Sequence, residues 1–145
     1  MIEIVRIDTS QALYPQEIDL RVRVLREPLG MSRESVTFPF ENEAEHFLAV
    51  ERECVVGCAL LHRRELASKV FQMCVEPTLQ RRGLGRQLIA ALECWAKTQG
   101  IERLFLHARA QVAEFYVRLG YQAVGQAFQE IGMPHLRMEK SLPQR

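Results

Sequence analysis

Two glycines and three arginines lie close together near the middle of the chain, in the segment Gln80-Arg81-Arg82-Gly83-Leu84-Gly85-Arg86. An apolar run at 70–75 precedes this segment, and apolar residues at helical spacing follow it as far as Gln99. The segment is therefore predicted to join a strand to the first turn of a helix. The unpaired amides and the dipole of a helix start attract anions, and the arginines add full positive charges. We predict a site for a phosphate-bearing ligand.

The segment differs from two common phosphate-binding motifs. A P-loop ends in Gly-Lys-Ser or Gly-Lys-Thr, which is missing here. A dinucleotide fingerprint has three glycines after an early strand, whereas this chain has two glycines in a mid-chain position. What remains, Gln80-x-x-Gly83-x-Gly85, resembles the Arg/Gln-x-x-Gly-x-Gly/Ala signature of the GNAT acetyltransferase superfamily. Members of that superfamily bind the pyrophosphate of acetyl-coenzyme A there.

The resemblance implies a set of residues that bind acetyl-coenzyme A. The pyrophosphate would lie on the loop and helix start, and the pantetheine arm would pair with the backbone of the preceding strand. A strand amide could also polarise the thioester oxygen. The alternative is an ordinary strand-to-helix turn with solvated arginines. The residues expected to contact acetyl-coenzyme A are Met73, Val75, Gln80, Arg81, Arg82, Gly83, Leu84, Gly85 and Arg86.

A second motif follows further along the chain, in Ala113-Glu114-Phe115-Tyr116-Val117-Arg118-Leu119-Gly120-Tyr121. It resembles the Ala-x-x-Phe-Tyr-x-x-x-Gly-Phe run of the same superfamily, with Tyr121 in place of phenylalanine. In many relatives the tyrosine that matches Tyr116 donates a proton to the departing coenzyme A thiolate. A phenol is protonated at neutral pH and can donate, so the resemblance implies that Tyr116 is the catalytic acid. The alternative is that Tyr116 only packs the helix against the sheet, as we expect for Phe115.

Two residues could supply the base that an amine acceptor requires. An amine arrives mostly as an ammonium ion and must lose a proton before it attacks. Glu76 is expected at the end of the central strand, and His107 is expected at the end of the next strand. Either could act through a water molecule, and either could have no catalytic role. The sequence does not choose between them.

The acceptor itself is not identified by the sequence. A long segment at 28–44 contains two prolines and one glycine and is interpreted as a loop with at most one helical turn. The segment Gly132-Met133-Pro134-His135-Leu136-Arg137-Met138 resembles a Gly-x-Pro-His-x-x-Met run of some small bacterial GNAT proteins. Both segments are expected to shape the acceptor site, although the second could equally be an ordinary hairpin.

The order of predicted elements indicates an α/β or α+β domain. A first helix is expected to end near Glu27, with Arg21, Arg23 and Arg26 pointing outward. The resemblance implies the GNAT fold, with a mixed, mostly antiparallel sheet of six to seven strands, splayed at the cofactor site and flanked by helices. One domain is expected over 1–145. Strands are predicted at 2–7, 46–51, 55–63, 70–75, 104–106, 121–128 and 135–140, and later helices at 84–99 and 112–119.

Predicted burial follows from the same periodicities. Leu84, Leu88, Trp95, Val70 and Leu106 fall on inward positions and are expected to be largely buried. The four cysteines, which are Cys54, Cys58, Cys74 and Cys94, lie within apolar runs and are expected to be buried free thiols. Free thiols are typical of a reducing compartment, so the cytoplasm is the expected location.

Composition and motifs exclude several classes of protein. A net charge of +1 argues against nucleic-acid binding. We find no signal peptide and no apolar stretch of membrane-spanning length. The four histidines lack ligand spacing, so no metal is expected. A homodimer is left open.

The resemblance implies an N-acetyltransferase that transfers the acetyl group of acetyl-coenzyme A to a primary amine of a small molecule or peptide. Two alternatives from other classes stay open. One is a non-catalytic module that senses acyl-coenzyme A. The other is a structural or partner-binding domain in which the phosphate loop has no function.

Overall fold

The computed structural model describes residues 1–144 and contains one sheet of seven strands in the order β1-β2-β3-β4-β5-β7-β6. Every neighbouring pair is antiparallel except β4 and β5, which are parallel. The prediction of a mixed, mostly antiparallel sheet is confirmed. The strands are β1 (Ile2–Ile7), β2 (Glu45–Glu51), β3 (Cys54–His62), β4 (Ser68–Val75), β5 (Arg103–Arg109), β6 (Gln122–Glu130) and β7 (Met133–Ser141).

Three α-helices flank this sheet: α1 (Tyr14–Arg21), α2 (Leu84–Thr98) and α3 (Ala113–Arg118). A π-helical turn, Val22–Arg26, extends α1, so the first helical segment does end where the sequence predicts. Helix α1 packs on β3 and β4 from one side of the sheet, which we call the front face. Helix α2 packs on the opposite side, the back face, through side chains four residues apart that include the fully buried Leu88 and Leu92.

The segment at 28–44 is more ordered than the predicted loop. It contains parts of three 3₁₀ turns, Glu27–Leu29, Arg33–Val36 and Glu41–Glu43. Pro28 suits the start of the first turn, and Gly30 ends it at a φ of 68°. The segment is held to the front face because Val36 is fully buried and the rings of Phe38 and Phe40 contact Phe71.

Strands β4 and β5 separate along their length. Only two residue pairs join them, Ser68 with Leu104 and Lys69 with Phe105, at the amino ends of both strands. The pairing of β3 with β4 shifts register between Cys58 and Leu60, opposite Gln72, whose φ is 53°. This irregularity has the form of a β-bulge, which bends a strand. The wedge-shaped space that opens towards the carboxyl ends of β4 and β5 is called the strand gap below.

The predicted core is confirmed at four of its five positions. Val70, Leu84, Leu88 and Leu106 are all buried on the back face. The exception is Trp95, which is only half-buried. Its indole lies at the edge of the core, with its centroid 6.1 Å from the Phe47 ring and 5.1 Å from the Arg6 guanidinium carbon. A ring of this size reaches the sheet margin from the last turns of α2.

The cysteine prediction is correct for two residues and wrong for the other two. Cys58 and Cys74 are buried neighbours on β3 and β4, with sulfur atoms 3.6 Å apart. Cys54 and Cys94 are exposed. Cys54 begins β3 beside a turn, and Cys94 lies on the polar side of α2, so apolar sequence neighbours did not decide their burial.

The arginines of the first helical segment also differ from expectation. Arg23 is exposed as predicted, but Arg26 is buried and Arg21 is fully buried. The Arg21 guanidinium donates to the carboxylates of Glu17 at 2.8 Å and Glu41 at 2.7 Å, and it also bonds the Val36 carbonyl. A buried charge requires such partners, and they come from segments that sequence periodicity did not bring together.

A histidine completes this buried ionic cluster, which we define as Glu17, Arg21, Glu41 and His46. His46 Nδ1 lies 2.8 Å from a Glu17 oxygen, and Nε2 lies 2.9 Å from the Glu41 carbonyl. Both nitrogens therefore face acceptors, which suits the doubly protonated ring. Burial alone would lower the pKa of His46, but the bond and charge of Glu17 and the contacts with Glu41 raise it.

Within residues 1–144, no helix combines the length and the apolar character that crossing a membrane requires.

Candidate active site

The predicted phosphate loop lies between the end of β4 and the start of α2. A 3₁₀ turn, Pro77–Leu79, follows the strand, and the chain reaches the helix through Gly83 at a φ of 80°. The first turn of α2 has no side-chain cap, and the backbone amides at 81–86 donate to no carbonyl within the described residues 1–144. Unpaired amides at the start of a 15-residue helix form a favourable environment for an anion.

Three exposed arginines surround this helix start. Arg81, Arg82 and Arg86 form no ion pair within the part of the chain that the structure describes. Arg86 also lines a groove of about 460 Å³ beside α3, together with Phe115 and Leu119. Their positive charges are therefore available to a ligand, as the sequence predicts.

The two glycines of the motif have different surroundings. A Cβ at Gly83 would meet no atom within 4 Å, so this position needs glycine for its backbone conformation and faces open space. A Cβ at Gly85 would lie 3.1 Å from Phe115 Cζ and 3.4 Å from Met73 Cε. Gly85 therefore allows α2 to pack closely on the side chains of Phe115 and Met73.

The backbone around Met73 and Val75 borders the strand gap. Beyond Lys69, β4 has no pairing with β5, so the edge of β4 that faces the gap carries unpaired backbone groups. The Val75 carbonyl accepts a weak bond from Gln80 Nε2 at 3.4 Å. The strand edge leads directly into the phosphate loop, so the nine residues predicted to contact acetyl-coenzyme A are contiguous in the fold, although the Leu84 side chain is buried in the core.

Tyr116 lies on α3, which contacts β5 and β6. Its ring is buried against Phe115 and Tyr121, with ring centroids 4.9 and 5.8 Å away. Its hydroxyl bonds to no group within residues 1–144, yet no fully buried side-chain oxygen in that range lacks a partner, so the hydroxyl retains solvent access. Burial, with a smaller effect from Cys74, raises the pKa of Tyr116, so the phenol is protonated at neutral pH.

Glu76, the first of the two candidate bases, is held in an ion pair. Both carboxylate oxygens accept from Arg23, each at 3.0 Å. This bond lowers the pKa of Glu76, which makes the carboxylate a weaker base. The partner could not be predicted because Arg23 lies on the π-helical turn, far away in sequence.

His107, the second candidate, lies within β5 rather than at its end, because β5 continues to Arg109. Its side chain is on the front face, and Nδ1 lies 2.9 Å from Glu130 Oε1. Burial lowers the pKa of His107, the nearby charges of Lys69 and Arg137 lower it further, and Glu130 opposes the shift. A neutral ring that donates from Nδ1 to Glu130 keeps a lone pair on Nε2.

Comparison with known proteins decides the family. The family model described as an acetyltransferase (GNAT) domain matches residues 24–142. The chain belongs to the GNAT acetyltransferase family. It is therefore an acyltransferase, and the family prediction is confirmed.

Two relatives of this GNAT protein come from Bacillus subtilis (strain 168). One, named as an acetyltransferase, is 34% identical over 98 residues, which are 68% of this chain and 67% of the relative. The other, the uncharacterized N-acetyltransferase YjcF, is 32% identical over 101 residues, which are 69% of this chain and 72% of the relative.

Solved structures share its fold. A Lactobacillus plantarum protein described as an N-acetyltransferase superposes with a TM-score of 0.89 at 23% identity, covering 98% of this chain and 99% of its own. An aminoglycoside 6'-N-acetyltransferase complexed with coenzyme A gives a TM-score of 0.81 at 19% identity, covering 99% of this chain and 98% of its own. These similarities confirm the predicted GNAT fold.

One group in this GNAT protein has metal-ligand chemistry but no free ligand atoms. Glu17, Glu41 and His46 each offer an atom within 4.8 Å of the others. However, Arg21 already bonds both carboxylates, and both nitrogens of His46 face acceptors. We therefore interpret the group as a structural ion network.

Proposed function

We propose that this GNAT protein transfers the acetyl group of acetyl-coenzyme A to a primary amine. The observation that supports this most strongly is the continuity between the phosphate loop, with its free amides and arginines, and the unpaired edge of β4 at the strand gap. Acetyl-coenzyme A supplies an activated acyl thioester. In the overall reaction a C–N bond forms, the C–S bond breaks, and one proton leaves the amine while one reaches the sulfur.

The residues of the loop suit the charged part of coenzyme A. Its pyrophosphate would be bound by the amides of residues 81–86 and by Arg81, Arg82 and Arg86, and Gly83 leaves room for close approach. The free backbone edge of β4 at Met73 and Val75 would pair with the amide groups of the pantetheine arm.

Tyr116 is proposed as the proton donor. Its raised pKa keeps the phenol protonated, and its hydroxyl has no protein partner to displace. A hydrogen bond to the sulfur would strengthen as negative charge develops there. Because a thiolate with a thiol pKa of about 8.5 leaves well unaided, the contribution of Tyr116 should lie at or below the lower end of general acid catalysis, roughly 10²-fold.

His107 is proposed as the proton acceptor, with Glu130 as the residue that positions it. The bond from Nδ1 to Glu130 fixes the tautomer that leaves Nε2 free, and the lowered pKa keeps this nitrogen unprotonated at neutral pH. Glu76 fits the role less well because Arg23 occupies both of its oxygens.

Two measurements test this proposal. Coenzyme A should raise the melting temperature, because a ligand that binds only the folded state stabilises it. Acetyl-coenzyme A should be consumed with release of free thiol when a panel of primary amines is supplied. Stabilisation without transfer to any amine would support a non-catalytic sensor, and no stabilisation would refute coenzyme A binding.

Variants separate the two proton-transfer roles. Tyr116→Phe should lower the turnover number by about 10²-fold or less, while coenzyme A affinity and stability stay nearly unchanged. Full turnover, with chemistry shown to limit the rate, would make Tyr116 a packing residue.

Glu130→Gln should shift the His107 pKa measured by NMR and move the acidic limb of the pH–rate profile with it. An unmoved profile would exclude His107 as the base.

A further inference from the structure

We propose that the amine acceptor also carries an anionic group, a carboxylate or a phosphate, and that cations on the front face beside the strand gap bind it. This inference rests on the proposed function and names the class of its second substrate. The surface in question, the front cleft, consists of Arg64, Lys69, Phe105, His107, Arg109, Glu130, Arg137 and Glu139.

Strand geometry brings these side chains together. Alternate residues of β5, namely Phe105, His107 and Arg109, share the front face. Phe105 pairs with Lys69 of β4 across the last paired position before the strand gap, and His107 pairs with Arg137 of β7. Directly paired residues point to the same side of a sheet, so the cleft borders the gap from which the acetyl group would be transferred.

The front cleft is open to an acceptor. Helix α1 packs mainly on β3 and β4 of the front face rather than on β5, β7 or β6. His107, Arg109 and Arg137 are partly exposed there. The back face is closed by the core that packs beneath α2. An acceptor can therefore approach the strand gap over the front cleft.

Positive charge dominates this surface. It holds four cations and two carboxylates, an excess of two positive charges, although the whole chain has a net charge of only +1. Arg137 bonds Glu139 at 2.8 Å, and Glu130 bonds His107 at 2.9 Å. Lys69 and Arg109 form no ion pair with any described residue, so they are available to an anion.

Two arginines line one end of the cleft around an aromatic ring. The guanidinium carbon of Arg137 lies 3.9 Å from the Phe105 centroid, and that of Arg64 lies 5.6 Å away. Burial lowers the pKa of Lys69, the charge of Glu130 opposes that shift, and the charges of Arg64 and Arg137 lower the pKa further. A second cation is therefore disfavoured at this position, whereas an anion would be stabilised.

Lys69 is too far from the phosphate loop to bind the pyrophosphate of coenzyme A. Lys69 is near the amino end of β4, and the loop follows Val75 at the other end. Six residues of strand span roughly 20 Å. The Lys69 end of the cleft and the loop are therefore separate positive sites at opposite ends of the strand gap, whereas Arg109 ends β5 at the same end as the loop.

Four small amines with the same aminoethyl group test the inference. They are 2-aminoethyl phosphate, β-alanine, ethanolamine and 1,2-diaminoethane. The first two carry an anionic substituent, ethanolamine carries a neutral one, and 1,2-diaminoethane carries a cationic one. We expect kcat/KM for the better of the two anionic acceptors to exceed that for ethanolamine by about tenfold or more, and 1,2-diaminoethane to be the poorest. The ranking of the two anionic amines separates phosphate from carboxylate. Equal rates for neutral and anionic acceptors, or a preference for the diamine, would overturn the inference.

Variants that remove positive charge test whether the preference for anionic acceptors arises in the front cleft. In the double variant Lys69→Gln/Arg109→Gln, the preference for the anionic acceptor should fall about tenfold and its salt dependence should weaken. The matched control is Lys97→Gln, which removes an exposed lysine from the last turn of α2. An unchanged preference in the double variant, or an equal loss in the control, would contradict binding in the front cleft.

A binding measurement keeps the inference separate from the proposed function. In the presence of coenzyme A, 2-aminoethyl phosphate or β-alanine should produce saturable NMR shifts at His107 at concentrations at which ethanolamine produces none. The double variant should lose these shifts. If neither anionic amine shifts His107, or if ethanolamine shifts it equally, the anionic class is wrong. If an anionic amine binds but no amine is acetylated, the proposed catalysis fails while the ligand class stands.

Discussion

Two regions of this protein contain three arginines each, and the fold surrounds those arginines in different ways. In the buried ionic cluster, Arg21 has no exposed surface and bonds two carboxylates and a carbonyl. In the phosphate loop, Arg81 and Arg82 are exposed and have no ion-pair partner among residues 1–144. Arg21 was expected to point outward, and the loop arginines were expected to bind a phosphate-bearing ligand.

The difference shows that the role of a charged side chain depends on the groups that surround it in the fold. A buried cation with complete hydrogen bonding stabilises one arrangement of the chain and has nothing left for a ligand. An exposed cation beside unpaired amides contributes little to stability and can contribute to binding. Substitutions in the first region should therefore change folding, and substitutions in the second should change coenzyme A affinity. The following predictions test that division, starting with the largest effect.

Removal of Arg21 should have the largest effect. Arg21→Met leaves Glu41 buried without its cation and Glu17 with His46 as its remaining charged partner, and removing one partner of a buried ion pair typically costs about 3–5 kcal/mol. Urea unfolding followed by circular dichroism measures the free energy. The matched control is Arg33→Met, which breaks the exposed pair with Asp19 at 2.6 Å and should cost less than about 1 kcal/mol. Equal losses in the two variants would contradict the structural role assigned to the buried cluster.

Gly83→Asp should weaken coenzyme A binding by about tenfold or more, equivalent to about 1.4 kcal/mol. The carboxylate would place negative charge beside the expected pyrophosphate. Calorimetry measures the affinity.

Two controls separate charge from backbone strain in that experiment. Gly83→Asn adds similar bulk without charge and should bind more tightly than the Asp variant. Gly100→Asp adds the same residue at a similar φ of 74°, also with no atom within 4 Å of the added Cβ, at the other end of α2. If Gly83→Asp leaves the coenzyme A affinity unchanged, the pyrophosphate does not bind at the phosphate loop.

Stability should depend on pH through His46. Its pKa in the folded protein is raised above the ordinary value of 6.5, so its contribution is complete below about pH 6.5 and is lost as pH rises through the folded pKa. The free energy of unfolding should therefore fall across that range, and the fall should be absent in His46→Gln. Urea titrations at a series of pH values measure it, and an identical pH slope in the two proteins would show that His46 is not charged in the fold.

Arg82→Gln should give the smallest effect. The loss of one exposed charge should weaken coenzyme A binding roughly two- to fivefold at low salt, and the difference should shrink as salt is added. Unfolding free energy should stay the same within error. A stability loss as large as that of Arg21→Met would mean that the loop arginines also have buried partners.

The sequence was most informative where function depends on local geometry. The glycines and arginines of the phosphate loop lie within seven consecutive residues, and the backbone of a strand-to-helix turn places them without long-range contacts. Helix α2 and the central strands were predictable for the same reason, because periodicity reports which side of an element is apolar. Trp95, Cys54 and Cys94 were misassigned because periodicity does not report where the core ends.

Contacts between residues far apart in the chain could not be predicted from the sequence. Glu130 reaches His107 only because β6 and β5 flank β7 in the sheet, and Arg23 reaches Glu76 from a π-helical turn. The strand gap likewise results from how two parallel strands diverge. Local sequence thus determined the loop that can receive a phosphate, the tyrosine motif and the order of elements. Tertiary structure alone decided which arginines are buried, which base keeps a free lone pair and where positive charge collects, since these depend on residues far apart in the chain.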